Sequence, residues 1–135
     1  FEMSKNKTGA IIVLKRTNSL DFILNESNLT QIRITPQVLE SVFFKNSPLH
    51  DGAIIIENNT IVATRVILPV SESSDLPSNY GLRHRAALGI TEKTDSIVVV
   101  ISEQTGKIVY FKGGEFIKIK SREMLNELVT QDLNK

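Results

Sequence analysis

The sequence predicts a single layered α/β domain, with a central mixed β-sheet flanked by helices on both faces. Three observations predict it. Four short runs are apolar without alternation and rich in β-branched residues: Ala10 to Leu14, Ala53 to Ile56, Ile97 to Ile101 and Ile108 to Phe111. That is the pattern of strands buried on both faces, which need helices above and below. Caps and apolar stripes mark helices between and after these runs. Finally, 135 residues amount to one domain at roughly 150 residues each, enough for a core without disulfide staples.

Taken in order, Gly9 leads into the first strand at Ala10, and Leu20 to Leu24 forms a short additional helix. Thr35 is an N-cap with Pro36 at the first helical position, and Val38, Leu39, Val42 and Phe43 share one face. Asn58-Asn59 is the turn joining the Ala53 strand to a longer one, Ile61 to Leu68. Ser71 to Tyr80 is a loop, too short for a domain linker and long for a tight turn, a kind that is often functional. Arg83 to Thr94 suits a helix with Ala86, Ala87 and Ile90 apolar. Gly113-Gly114 is a hairpin turn. Phe116 to Lys120 alternates, with Ile117 and Ile119 on one face and Lys118 and Lys120 on the other, as expected near a sheet edge. Ser121 caps a last helix striped by Met124, Leu125, Leu128 and Val129. There is no internal repeat and no low-complexity stretch.

Composition excludes several functions. Hydrophobic residues at 41% and charged residues at 23% describe a globular chain, not a disordered one. Sixteen Lys and Arg against fifteen Asp and Glu leave a net charge of +1, too little bulk field to hold a nucleic-acid polymer or an anionic membrane. The absence of cysteine excludes disulfides, zinc-thiolate sites and a cysteine nucleophile. Two histidines exclude a three-histidine metal site. The chain opens on Phe1, with no signal peptide and no membrane-length apolar run. It is expected to be a fragment of a longer protein.

Three clusters could carry chemistry. In Pro48-Leu49-His50-Asp51-Gly52-Ala53 a carboxylate and an imidazole stand together before a buried strand. They can bind a divalent metal or act as a base, with Gly52 allowing close approach of a ligand. A plain Asp-Gly turn with a surface histidine explains the same residues. In Gly81-Leu82-Arg83-His84-Arg85 two arginines flank a histidine at a helix opening. Cations there are unfavourable unless an anion compensates them, so the cluster suits phosphate. A solvated basic helix start is the alternative. In Ser102-Glu103-Gln104-Thr105-Gly106 a carboxylate ends a central strand; it can join a metal or nucleotide site, or simply form a hairpin turn closed by Gly106. The glycine-rich phosphate cradles of common nucleotide folds are absent. Any nucleotide phosphates must be held by arginines and a metal.

Together and in this order, the clusters resemble the diadenylate cyclase family, in its membrane-anchored CdaA type. The family's Asp-Gly-Ala motif matches Asp51-Gly52-Ala53, inside a wider Pro-Leu-His-Asp-Gly-Ala string. Its Arg-His-Arg motif matches Arg83-His84-Arg85, and its Ser-Glu-x motif before Thr-Gly matches Ser102-Glu103-Gln104. Gly9-Ala10 and Leu68-Pro69-Val70-Ser71 match as well, so the resemblance covers nearly all of residues 1–135. It implies the diadenylate cyclase fold and condensation of two ATP into cyclic di-AMP and two pyrophosphates, each 3′-hydroxyl attacking the other α-phosphate. It implies catalytic roles for Asp51, Arg83, His84 and Arg85, and substrate contacts from Gly52, Ala53, Leu68, Leu82, Arg83, Ser102 and Glu103. Asp51, His50 and Glu103 are the implied metal contacts, for Mn²⁺ or Mg²⁺, with Co²⁺ a further candidate. A face-to-face homodimer is implied, because the product is two-fold symmetric. So are a missing N-terminal membrane segment, a place at the cytoplasmic face of the bacterial membrane, and a YbbR-type regulator and phosphoglucosamine mutase as partners.

Two positions depart from the pattern: Leu82 stands where many relatives of this type have threonine, and neutral Gln104 where a second charge is common. They favour an alternative, a non-catalytic nucleotide sensor on the same fold. A protein-interaction domain with no nucleotide response is the third reading.

Overall fold

The computed structural model describes residues 1–44, 52–73, 76–77 and 80–133. Its strands are β1 (Ala10–Leu14), β2 (Leu29–Arg33), β3 (Ala53–Glu57), β4 (Thr60–Val66), β5 (Ile97–Ile101), β6 (Ile108–Lys112) and β7 (Glu115–Ile119). Its helices are α1 (Glu2–Lys5), α2 (Pro36–Phe43), α3 (Leu82–Lys93) and α4 (Arg122–Leu133). The strands form one sheet in the order β2-β4-β3-β1-β5-β6-β7. Among the described pairs β1 and β3 run parallel and the rest antiparallel, so the sheet is mixed as expected.

The non-alternating runs are buried on both faces, as read from the sequence. Successive residues of β5 enter opposite cores: Val98 and Val100 one, Ile97, Val99 and Ile101 the other. β1, β3 and β6 divide in the same way. The first core is closed by Ala86, Ala87, Leu88 and Ile90 of α3. The second is closed by Met3 of α1, Val42 and Phe43 of α2, and Leu125, Leu128 and Val129 of α4. Each aliphatic side chain so buried contributes about 1.5–3 kcal/mol relative to an exposed one.

The local signals mostly hold. Thr35 Oγ1 accepts from the Val38 amide at 3.1 Å, and Ser121 Oγ from the Met124 amide at 3.1 Å. Asn58 and Asn59 both have positive φ (51° and 62°), the backbone of a two-residue hairpin turn. β7 is an edge strand. The short helix near Leu20 is a single 3₁₀ turn, Asp21–Ile23.

Three features differ from expectation. β2 was absent from the sequence reading, because Leu29-Thr30-Gln31-Ile32-Arg33 is an exposed edge with too few apolar residues to stand out. α1 is only four residues long and carries one buried side chain, Met3. β4 ends at Val66, not Leu68. Arg65 adopts φ 55°, and the Asn28 side-chain amide donates to the Thr64 and Arg65 carbonyls at 3.2 and 3.3 Å. The chain then leaves the sheet and crosses α3. The Ser71 amide donates to the Arg85 carbonyl at 2.9 Å, and a Cβ on Gly89 would overlap the Pro69 carbonyl.

α4 is tied down by a polar contact under the second core. The Tyr110 hydroxyl donates to Asp132 at 2.5 Å and Lys112 Nζ contacts the same carboxylate at 2.6 Å. Asp132 is only 4% exposed. Burial, and then the carboxylate, push the Tyr110 hydroxyl well above the ordinary tyrosine range. Asp132→Ala should lower unfolding stability by about 1–3 kcal/mol, since it strips the strong acceptor from a buried hydroxyl. Asp132→Asn, which keeps an acceptor, should lose less. Urea unfolding checks both, and equal stabilities for the three proteins would contradict this account.

Candidate active site

The N-terminal ends of β1 and β3 and the C-terminal ends of β4 and β5 meet at one rim of the sheet, beside the start of α3. A cleft of about 580 Å³ opens there. Its lining is partly apolar, from Val66, Ile67, Leu68 and Val70 and from Leu82 and Ala86 of α3, and partly polar, from Arg83, His84, Ser102, Glu103 and Gln104.

Gly52 lines the cleft at the start of β3. Its φ is +81°, and a Cβ there would lie 2.9 Å from the Arg65 carbonyl carbon and the Val66 oxygen. Only glycine lets β3 begin so close to the irregular end of β4.

Gly81 precedes α3, and among the described residues no side chain caps the helix. The first turn carries arginine and no acidic residue. Its amides and positive dipole end therefore add to the charge of Arg83, an arrangement that favours an anion. Arg83 Nη1 lies 3.5 Å from Glu103 Oε1, so a cation and a carboxylate pair side by side on the cleft lining.

His84 is only 6% exposed and stacks on Tyr80, ring centroids 4.2 Å apart. Its Nδ1 is buried and has no hydrogen-bond partner among the described residues. Burial, and secondarily the charge of Arg83, hold the imidazole below the usual histidine range. It is therefore neutral near pH 7, a ring wedged between the cleft and the aromatic group Tyr80, Phe111 and Phe116.

The turn after β5 is both things the sequence allowed, a hairpin and a wall of the cleft. The Gly106 amide donates to the Ser102 carbonyl at 2.8 Å, and Ser102 Oγ accepts from the Gln104 and Thr105 amides at 3.2 and 3.3 Å. This leaves the Glu103 side chain exposed toward the cleft.

Of the residues singled out from the sequence, Gly52, Leu68, Leu82, Arg83, His84, Ser102 and Glu103 line this one cleft. Arg85 does not: its Nη1 donates to the Ser73 carbonyl at 3.2 Å, stapling the segment that precedes α3 to the helix. Ala53 is fully buried in the core behind Gly52. His50 and Asp51 lie outside the described residues. Sequence reasoning missed Ile67 and Val70, which are exposed apolar residues on the cleft wall, and Tyr80, which fixes the His84 ring. The signal for Ile67 was present in the apolar run at the end of β4, but it reads as continued strand; Val70 lies beyond that run, after Pro69. Among the described residues no three His, Asp or Glu side chains cluster as a ready metal site.

The fold and cleft define a class: an α/β domain whose strand ends and a helix start form a site of nucleotide-binding character. A family model described as "DisA bacterial checkpoint controller nucleotide-binding" matches residues 1–116, and the chain belongs to this family, DAC. A protein of Listeria monocytogenes named diadenylate cyclase is 42% identical over 131 residues, 97% of this chain and 48% of that protein. The chain thus spans about half the length of the curated relatives it matches. A crystal structure of DacA from Staphylococcus aureus superposes with a TM-score of 0.92 at 36% identity, covering 98% of this chain and 88% of that one. A hypothetical membrane spanning protein from Bacillus cereus superposes with a TM-score of 0.84 at 37% identity, covering 89% and 59%. Among the described residues no helix is long and apolar enough to cross a membrane.

The lowered pKa of His84 has a testable sign. As pH falls through 6.5, the unfolded chain takes up the proton before the folded one does. The stability from neutral His84 is complete above that value and is lost as pH falls through the lowered folded value. Urea midpoints at pH 7.5 and pH 5 should therefore drop further for the wild type than for His84→Gln, and equal drops would refute the assignment.

Proposed function

We propose that residues 1–135 form the catalytic domain of a diadenylate cyclase, which condenses two ATP into cyclic di-AMP with release of two pyrophosphates. The observation that carries this reading is one cleft lined both by apolar side chains and by Arg83 at the start of α3. A nucleotide has the same two halves. The names and domain family of the relatives support the same conclusion.

In this reading the base lies against Leu68 and its apolar neighbours, and the phosphates face Arg83 and the amides that open α3. The 3′-hydroxyl of one ATP attacks the α-phosphorus of the other. A P–O bond forms, the bond to the pyrophosphate oxygen breaks, and the hydroxyl proton passes to a carboxylate. Asp51, which directly precedes Gly52 in the chain, takes that proton. Charge accumulating on the departing pyrophosphate is stabilised by Arg83. Neutral His84 holds the helix start through its stack on Tyr80. Arg85 acts from behind, through the loop it staples.

Oxygen donors of the kind hard divalent ions prefer are available at Glu103 and at Asp51. Cleft-facing Glu103 fits a Mn²⁺ or Mg²⁺ brought in with the triphosphate, and such an ion would supply charge neutralisation on the phosphates. Because the product is two-fold symmetric and needs two equivalent bonds, two copies act face to face. The rim supports this: Ile67 is 86% exposed and Leu82 76%, apolar surface that a second copy would cover. A place at the cytoplasmic membrane face draws support from the membrane spanning neighbour. The sensor reading, favoured by Leu82 and Gln104, predicts nucleotide binding without turnover.

Incubation with ATP and Mn²⁺ or Mg²⁺ should yield cyclic di-AMP and pyrophosphate, and Asp51→Asn should lower the rate by at least about 10²-fold. ATP binding without product, even as the full-length protein, would instead establish the sensor. The rate per molecule should also rise with protein concentration across the dimerisation range; a strictly constant specific rate would refute the face-to-face arrangement.

A further inference from the structure

Residues Ser4 to Gly9 lie behind the Arg83–Glu103 pair and touch the support of both partners. On the Glu103 side, Ser4 Oγ donates to the Gly106 carbonyl, and Gly106 closes the turn that carries Glu103. Gly106 has φ +75°, and a Cβ on it would overlap the Ser4 carbonyl and lie 3.4 Å from Lys7 Cγ. Ser4 is held in turn: Lys7 donates its amide to the Ser4 carbonyl at 3.1 Å, Thr8 to the Met3 carbonyl at 2.8 Å, and Met3 is buried.

On the Arg83 side, the guanidinium rests against the backbone of Gly9. A Cβ there would lie 2.7, 2.8 and 2.9 Å from Arg83 Cζ, Nη1 and Nη2. Gly9 does not adopt a left-handed φ, so its backbone would accept alanine. What excludes a side chain is the space the guanidinium occupies. An ion pair at 3.5 Å with this much exposure holds itself only weakly. Its geometry therefore comes from what packs behind it.

We propose that Ser4 and Gly9 are positioning residues: the segment from Ser4 to Gly9 is a brace that sets Arg83 and Glu103 relative to each other and directs both into the cleft. Ser4 acts on Glu103 through the turn, and Gly9 acts on Arg83 by leaving room for it. Neither touches substrate. The inference rests on the cyclase reading for its activity readout, while ATP affinity tests it separately.

Gly9→Ala, Ser4→Ala and Ser4→Thr would each be made alone, and the first two also in a Glu103→Gln background. Thermal midpoint, equilibrium ATP affinity, and kcat and KM for cyclic di-AMP formation would be measured for each. Gly9→Ala should lower kcat about tenfold or more at a near wild-type midpoint, since small misplacements near reacting groups cost factors of this order. Ser4→Ala should lower it less, and Ser4→Thr, which keeps the donor, should restore it. In the Glu103→Gln background the effect of Gly9→Ala and Ser4→Ala should shrink to less than half, the non-additivity expected of residues acting through one pair. Wild-type kcat and affinity in both alanine variants, or equal losses in both backgrounds, would overturn the brace. If the wild type binds ATP but forms no product, the cyclase reading fails and the affinity arm of the same cycle decides the brace. If it binds no ATP, both fail.

Discussion

Ile97, Val99 and Ile101 of β5 face one core and Val98 and Val100 the other, so no side chain of this strand reaches water before Ser102. The same holds for most of β1, β3 and β6. A strand sealed on both faces holds a polar group inside only where a partner meets it, as Asp132 meets the Tyr110 hydroxyl, and otherwise presents such groups at its ends. Every group with chemistry is thereby driven to the rim of the sheet. The clustering of Gly52, Arg83, Ser102 and Glu103 at one rim follows from that constraint combined with the directions in which β1, β3, β4 and β5 run.

Close backbone approach completes the rim. Gly52 lets β3 start against the kinked end of β4, and Gly89 lets the segment after β4 cross α3. Without the first approach, Gly52 would not border the cleft. Without the second, Leu68 would not form its apolar wall. Asn28 supports the kink from the far side by binding two carbonyls. The cost of an unusual backbone at Arg65 is offset by hydrogen bonds and packing around it.

Charge works at the same local scale. The chain is nearly neutral, at +1, so the field of the whole molecule is weak. Within the cleft the balance is different: a helix start and an arginine favour anions beside a neutral histidine, and Glu103 pairs with that arginine at 3.5 Å. The site is thus suited to a small anionic ligand that brings its own counterion.

The sequence by itself determined the strand and helix pattern, because double burial, caps and two-residue turns are local properties written into neighbouring residues. It also marked the three segments that reach the rim, Gly52, Arg83-His84 and Ser102-Glu103, by residue types that a buried strand or an ordinary helix start would not carry. It could not display β2, whose polar edge pattern matches a loop, or the end of β4 at Val66, where Ile67 and Leu68 continue an apolar run. Nor could it separate Arg83 from Arg85. Two residues apart, they project from α3 in different directions, one into the cleft and one to the Ser73 carbonyl. Only the tertiary structure decided which arginine faces the ligand and that Gly9 must leave space for it, because both depend on contacts between residues far apart in the chain.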